Sequence, residues 1–108
     1  MSSGRQSPAR GNALTDRMRK DLDLIRRHVT LLEVVEERQP IGIIRLAKLS
    51  RYPLHHIRYT LRILEQEGLV RPSQKGTVTT ARAKRFREKL RVLLEEMKRT
   101  VESLKESP

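Results

Sequence analysis

Five side chains that can form hydrogen bonds to nucleic-acid bases or phosphates lie close together in the middle of the chain. Arginine can pair bidentately with O6 and N7 of guanine, and His and Tyr side chains can bond to bases or to phosphates. Their spacing places them on the exposed face of one predicted helix, and a solvated helix surface remains the alternative interpretation. These candidate groove-contacting residues are His55, His56, Arg58, Tyr59 and Arg62.

The helix that positions these side chains is predicted over residues 54–67. Pro53 is suited to the first position of a helix, where its missing N–H group is harmless. Gly68 ends the helix, because only glycine adopts left-handed backbone geometry cheaply. An apolar line at spacings of three and four forms the buried side of the helix and consists of Leu54, Ile57, Leu61 and Leu64.

A shorter helix is predicted just before it, from Gly42 as N-cap to about Ser50. Its small Ala47 allows another helix to cross closely. The turn Ser50-Arg51-Tyr52 then joins the two helices, and Arg51 is a candidate for contact with a phosphate backbone.

Two short strands are predicted after Gly68, over residues 69–71 and 77–79, with a turn over 72–76. Ile41 is predicted to add a small further strand. Lys75 lies in the turn and is a candidate phosphate contact. Arg82 and Arg85 are further candidates at the start of the last helix, where surface solubility is an equally good explanation for so many basic residues.

The basic charge of the chain is unevenly placed. The 108 residues include 24 Lys and Arg against 13 Asp and Glu, giving a net charge of +11. Residues 15–38 carry six charges of each sign, residues 39–81 carry seven positive against two negative, and residues 82–91 carry six against one. Such a charge indicates a polyanionic partner, with nucleic acid as the first candidate and an anionic membrane surface as the second.

Long amphipathic helices are predicted at both ends of the ordered chain. The first is capped by Thr15-Asp16 and ends at Gln39-Pro40, because proline disfavours helical geometry in the residue before it. The last begins at Thr79 or Thr80 and is about 25 residues long, roughly 38 Å, with too little of its own domain to pack against. The apolar residues expected to meet a second copy are Met18, Leu22, Phe86, Leu90, Leu93, Met97, Val101 and Leu104.

Several classes of function are disfavoured by composition. There is no cysteine, which excludes disulfides, Cys-ligated zinc and a thiol nucleophile. Adjacent His55 and His56 point about 100° apart on a helix and cannot easily share one ion, and His28 is expected to be an ordinary helix surface residue. No Gly-rich phosphate loop or catalytic pair is present, so neither an enzyme nor a cofactor is expected. No apolar run approaches membrane-spanning length, so we expect a soluble, cytoplasmic protein without a small-molecule ligand.

The run LAKLSRYPLHHIRYTLRILEQEGLV, over residues 46–70, resembles prokaryotic winged helix-turn-helix regulators. The shared features are the Leu-Ala of the second helix, the L-R-x-L-E run at 61–65 and the Gly-Leu-Val at 68–70. The segment 27–70 looks like archaeal predicted regulators, and the last helix is similar to that of archaeal winged-helix proteins that dimerise through a coiled coil. The wing is short, with a single lysine at its tip where many relatives carry several basic residues.

The resulting prediction is a mostly α fold with a small β-wing, in which long N- and C-terminal helices form a dimer interface. Residues 1–14 form a disordered basic arm, residues 15–81 a winged helix-turn-helix domain, and residues 82–108 a dimerisation helix. The predicted function is sequence-specific binding of double-stranded DNA by a homodimeric transcriptional regulator, with helix 54–67 in the major groove. An architectural DNA-binding protein with low sequence specificity and a protein-interaction adaptor remain the alternatives.

Overall fold

The structure is a computed structural model that describes residues 12–107. In this part of the chain the fold is mostly helical with one small antiparallel hairpin, which confirms the predicted class at that level. The predicted basic arm falls mainly on residues 1–11, outside the described residues. The elements in chain order are α1 (Ala13–Arg38), α2 (Ile43–Ser50), α3 (Leu54–Gln66), β1 (Val70–Ser73), β2 (Gly76–Thr79) and α4 (Ala81–Lys105).

Helix α1 begins earlier than the sequence pattern indicated. Its N-cap is Asn12, whose Oδ1 accepts a hydrogen bond of 3.0 Å from the backbone N–H of Thr15. The Oγ1 of Thr15 in turn accepts from the backbone N–H of Asn12 at 3.0 Å, so the two residues form a reciprocal capping box. The predicted cap at Thr15-Asp16 is therefore wrong, because an Asn three residues before Thr15 satisfies the free N–H groups better. Leu14, the predicted end of the arm, lies inside the helix.

The connection between α2 and α3 is short and strained at one residue. Arg51 adopts left-handed backbone geometry with φ of 65° and donates its backbone N–H to the carbonyl of Ala47 at 2.8 Å. A non-glycine residue in this conformation costs about 1–2 kcal/mol. Pro53 serves as the N-cap of α3, one position earlier than predicted, and its carbonyl accepts from the N–H groups of His56 and Ile57.

Gly68 ends α3 as predicted, with φ of 76°. The backbone N–H of Leu69 then donates to the carbonyl of Leu64 at 2.9 Å, so the chain turns directly into β1. This geometry closes the last turn of the helix with main-chain hydrogen bonds.

The hairpin is longer than predicted and its loop is shorter. Val70 pairs with Thr79 and Ser73 pairs with Gly76, which leaves only Gln74 and Lys75 in the loop. Ile41 forms an isolated antiparallel bridge to Thr77, with hydrogen bonds of 3.1 and 2.8 Å, where the sequence predicted a small further strand.

One aliphatic core joins α1, α2, α3, the hairpin and the start of α4. Its central residues come from every one of these elements, and Thr60 is the one polar residue buried with them in the described part of the chain. The core consists of Leu31, Leu32, Val35, Ile41, Leu46, Ile57, Leu64, Leu69, Val70 and Ala83.

The C-terminal end of α1 is joined to the hairpin and to α4 by polar contacts. Gln39, just after α1, accepts a hydrogen bond from the backbone N–H of Thr79 at 2.8 Å. Arg87 on α4 forms salt bridges with Glu33, at 3.6 Å, and with Glu36, both on α1. Arg87 is one of the six basic residues in 82–91, and its guanidinium is committed to these two carboxylates.

A substitution at Gly76 tests the packing of the hairpin against Ile41. Its φ is 135°, and a Cβ atom built there would lie 2.6 Å from the carbonyl carbon of Ile41 and 2.8 Å from its nitrogen. We expect Gly76→Ala to lower the free energy of unfolding by about 2–4 kcal/mol in chemical denaturation, through backbone strain and a main-chain clash. Gly42→Ala is the matched control, since a Cβ atom there meets nothing within 4 Å. A loss of similar size in both variants would contradict this packing.

Substitutions at Arg51 test the backbone strain in the turn between α2 and α3. Replacing it by glycine removes the steric cost of left-handed geometry and adds a smaller entropic cost in the unfolded chain. We therefore expect Arg51→Gly to raise the free energy of unfolding by about 0.5–1 kcal/mol. Arg51→Ala, which keeps the steric cost, should give no such gain in the same denaturation experiment. Equal stability of the two variants would show that the turn is not strained at Arg51.

Candidate nucleic-acid interface

One side of α3 is fixed in the core and leaves the opposite side uncovered. Ile57 and Thr60 are fully buried and Leu64 almost so, at helical spacings of three and four. At about 100° per residue, the positions opposite this line are 55, 59, 62 and 66. His55, Tyr59, Arg62 and Gln66 are accordingly all exposed, and the first three are predicted groove-contacting residues.

A side-chain hydrogen bond from α1 holds the buried side of α3 in place. The Nε–H of Arg27 donates to Oγ1 of Thr60 over 2.8 Å. This bond satisfies the buried hydroxyl, which would otherwise cost about 1–3 kcal/mol. Sequence reasoning missed both residues. The available signal was a threonine among the buried positions of α3, where the pattern otherwise places aliphatic side chains.

Arg58 and Arg62 face the hairpin side of α3. Both line a groove of about 300 Å³ between α2, α3 and the hairpin, together with Ile43, Glu65 and Pro72 among others. The groove places the two arginines on the same side as the hairpin whose loop carries Lys75. Lys75 is exposed in that loop.

The two adjacent histidines of α3 point in different directions. Their ring centroids are 4.3 Å apart, with the ring planes inclined by 63°. His55 is exposed, whereas His56 is half-buried and lines a groove between the turn and the N-terminal half of α1. Partial desolvation, and then the charges of Arg27 and His55, lower the pKa of His56. A lower pKa favours the uncharged form of His56, which can both donate and accept a hydrogen bond. Within residues 12–107, no three His, Asp or Glu side chains are grouped as metal ligands would be.

Arg82 and Arg85 lie on the other side of α3. They line a groove of about 640 Å³ with Ile63 and Lys89, between α1, the C-terminal end of α3 and α4. Arg58 and Ile63 point about 140° apart on α3, at about 100° per residue. The structure thus divides the predicted DNA-contacting arginines into two groups, one on each side of the same helix.

The cations around α3 are not neutralised by the protein itself. Among the described residues, the only salt bridges within 4.0 Å join Arg19 to Asp16, Arg87 to Glu33 and Glu36, and Arg99 to Glu95. None of them involves a predicted DNA-contacting residue. The candidate set that remains available for anions is Arg51, Arg58, Arg62, Lys75, Arg82 and Arg85.

His28 is not the ordinary surface residue that the sequence indicated. It is half-buried on α1, and its Nε2 atom is closed off from solvent with no hydrogen-bond partner in the described part of the chain. Burial, and secondarily the charge of Arg27, lowers the pKa of His28. His28 therefore stays neutral at physiological pH and belongs to the packing of α1.

The predicted dimer residues form exposed apolar surface on α1 and α4. Met18, Leu22, Leu93, Val101 and Leu104 are exposed in the single chain, as are Phe86 and Met97 to a smaller extent. Leu90 is half-buried, next to Val29 of α1. No helix among the described residues is both long and apolar enough to cross a membrane.

Comparison with known proteins gives a likeness in fold. No protein-family model matches the sequence, and no curated protein matches it. Among solved structures, the fold is similar to the activation domain of the phage T4 transcription factor MotA. The match has a TM-score of 0.54 and 18% sequence identity, and it covers 71% of this chain and 81% of that one. At this identity the match shows a likeness in fold.

Proposed function

We propose that this chain is a sequence-specific DNA-binding transcriptional regulator of the winged helix-turn-helix class, acting as a cytoplasmic homodimer and catalysing no reaction. In this proposal α2, the turn at 51–53 and α3 form the helix-turn-helix, and β1 and β2 form the wing. The observation that carries the proposal is the uncovered side of α3. Its polar and cationic side chains are free of ion pairs, while its opposite side is anchored in the core.

Helix α3 would enter the major groove with His55, Tyr59 and Arg62 facing the bases. A major groove about 12 Å wide admits one α-helix, and Arg is its most frequent specific reader, usually of guanine. Arg58 is directed toward the hairpin and would contact a base at one edge of the helix.

Phosphate contacts would flank α3 at both ends. Arg51 stands in the turn before it, in a strained conformation that glycine would adopt more easily, and strain of this kind is often found at functional sites. Lys75 would reach the backbone from the wing. Arg82 and Arg85 would contact phosphates beyond the other side of α3, where the N-terminus of α4 adds a favourable dipole.

A homodimer would present two α3 helices to successive half-sites. Half-sites read in this way are about 34–36 Å apart, one turn of DNA. Helix α4 has 25 residues, a length of about 38 Å, and carries exposed apolar residues along most of it. It can therefore both join two copies and set a separation of the required order.

Protein docking is the second candidate function, and one observation favours it. The structure that shares the fold is titled as an activation domain, which is a role different from DNA reading. The uncovered side of α3 would then receive a partner protein. An architectural protein that coats DNA would use the same cations without base discrimination, so the ratio of specific to non-specific affinity separates it from a regulator.

Selection of bound fragments from random DNA tests the proposal directly. We expect a roughly palindromic site with half-sites one helical turn apart, because α3 reads bases and the two copies are related by symmetry. Affinity for that site should fall steeply with salt, since the cations release counterions from the DNA. Binding without any enriched sequence would favour the architectural function, and no binding even at low salt would rule out both DNA-binding functions.

Two substitutions separate base reading from phosphate binding. Arg58→Ala should reduce discrimination against a mutated half-site by about 1–3 kcal/mol, because it removes a base contact. Lys75→Ala should weaken binding to all sequences alike and reduce the salt slope by about one. Arg17→Ala removes an equal charge from the N-terminal half of α1 and is the matched control, expected to change neither quantity. Equal, sequence-independent losses from Arg58→Ala and Lys75→Ala would contradict the role of Arg58.

A further inference from the structure

The two long helices lose contact with the rest of the protein progressively. Along α4 the exposed fraction rises from 37% at Met97 to 55% at Val101 and 66% at Leu104. Every residue from 91 to 107 is exposed. Along α1 the exposed fraction rises toward the N-terminus, from half-buried Val29 to Leu14, which is 65% exposed. Both helices therefore leave the folded body as largely uncovered apolar arms.

The two helices lie side by side where they leave the body. Arg87 of α4 binds Glu33 and Glu36 of α1, and further along α4 Leu90 and Leu94 line one groove with Val29 of α1. Later residues of α4 therefore lie next to earlier residues of α1, so the two helices run antiparallel. The positions on α1 that share the face of Val29, at helical spacing, are Leu22 and Met18; the positions on α4 that share the face of Leu90 are Met97, Val101 and Leu104.

Between these two lines of apolar residues lies a cleft, the α1–α4 cleft. It is closed by the salt bridges of Arg87 with Glu33 and Glu36, and next to them it is lined by Val29, Leu90 and Leu94 together with charged residues of both helices. The exposure of Leu14 and Leu104 shows that neither arm covers the other toward its end. The molecule is correspondingly elongated, 54 × 33 × 22 Å, with a radius of gyration of 17.4 Å against about 13 Å for a compact chain of this size. An amphipathic helix is the shape that fits a cleft between two apolar helical stripes.

A second copy of α4 matches this cleft in pattern and in charge. The apolar lines of the two arms have the same spacing of three and four residues. The arm from 91 to 105 carries four basic and three acidic residues, unlike the strongly basic start of α4. Two such arms therefore meet without the repulsion that the basic surface near α3 would impose.

We infer that α4 of a second copy inserts between α1 and α4, antiparallel to α4, with Met97 near the two-fold axis. The inference rests on the homodimer of the proposed function and not on its DNA binding. The orientation follows from sterics, because the folded body is attached to the N-terminal end of α4. Only the C-terminal tip of the second α4 can enter the closed end of the cleft, so the second helix must run opposite to the first.

Charge spacing supports the same arrangement. Basic residues recur every seven positions at Arg91, Lys98 and Lys105, and acidic residues recur every seven at Glu88, Glu95 and Glu102, on neighbouring lines of α4. When the tip is fully inserted, Leu104 of the second copy lies beside Leu90. Arg91 then faces Glu102 of the second copy, and Lys98 faces its Glu95. In a parallel pair, Arg91, Lys98 and Lys105 would instead face the other edge of the second α4. That edge carries one basic and one acidic residue, Lys89 and Glu96, seven positions apart.

Single cysteines test the arrangement, because the chain contains none of its own. Under mild oxidation Met97→Cys should form a disulfide-linked dimer, since the two positions meet at the axis. Leu104→Cys should not link to itself but should link to Leu90→Cys in a mixture of the two variants. Val92→Cys is the matched control: Val92 is 60% exposed but lies on another face of α4, and it should not link.

The contribution of α1 has its own test. Leu22→Asp should lower the association constant of the dimer, measured by light scattering, at least tenfold, because Leu22 would lie against the second α4. Lys20→Asp introduces the same side chain on a different face of α1 and should have a much smaller effect. An equal effect from both substitutions would remove α1 from the interface.

Three results would overturn the inference. These are a mass of 12.6 kDa in solution, the mass of one chain, self-linking of Leu104→Cys as in a parallel pair, and absence of linking by Met97→Cys in a protein that is dimeric. These readouts are independent of DNA. Correct cross-links in a protein that binds no DNA would leave this inference standing and contradict the proposed function alone.

Discussion

Everything exposed on α3 depends on how its other side is held. Ile57 and Leu64 insert into the aliphatic core, and Thr60 between them accepts a hydrogen bond from Arg27. Rotation of α3 about its axis would expose these apolar side chains. The directional bond from Arg27 opposes such a rotation, because turning the helix would leave a buried hydroxyl and a guanidinium unpaired. The directions of His55, Tyr59 and Arg62 are set by this anchoring.

The placement of charge separates structural cations from available ones. Arg87 holds α4 against α1 through two glutamates, whereas the cations around α3 and the hairpin loop have no acidic partner within the described residues. The apolar arms, in contrast, carry nearly balanced charge. The basic surface around α3 and the apolar surface of the arms thus lie on different parts of the chain.

Much of the fold could be predicted from the sequence, because it follows from local rules. Gly68 ends α3 and Pro40 follows the end of α1, and both carry a backbone preference that the neighbouring chain cannot override. The cap of α1 was mispredicted because Thr15, which is itself a favourable N-cap residue, is the third helical residue of a capping box whose N-cap is Asn12. The length of the hairpin loop was overestimated because strand pairing extends through Pro72 and Ser73, which have little intrinsic preference for strands.

The candidate site could be predicted in outline only. The exposed residues of α3 follow from helical spacing, whereas the partners of Arg27 and Arg87 depend on contacts 33 and 51 residues apart in the chain. For the same reason the sequence could not show that Arg82 and Arg85 lie across α3 from Arg58. The roles of these residues in binding stay predictions.

The central claim is that the uncovered side of α3 is a DNA interface, and an NMR titration of the isotope-labelled protein with duplex DNA at low salt tests it most directly. The account predicts the largest shifts at His55, Tyr59, Arg62 and the hairpin loop, with residues 91–105 unchanged; shifts confined to α4, or none at all, would contradict it.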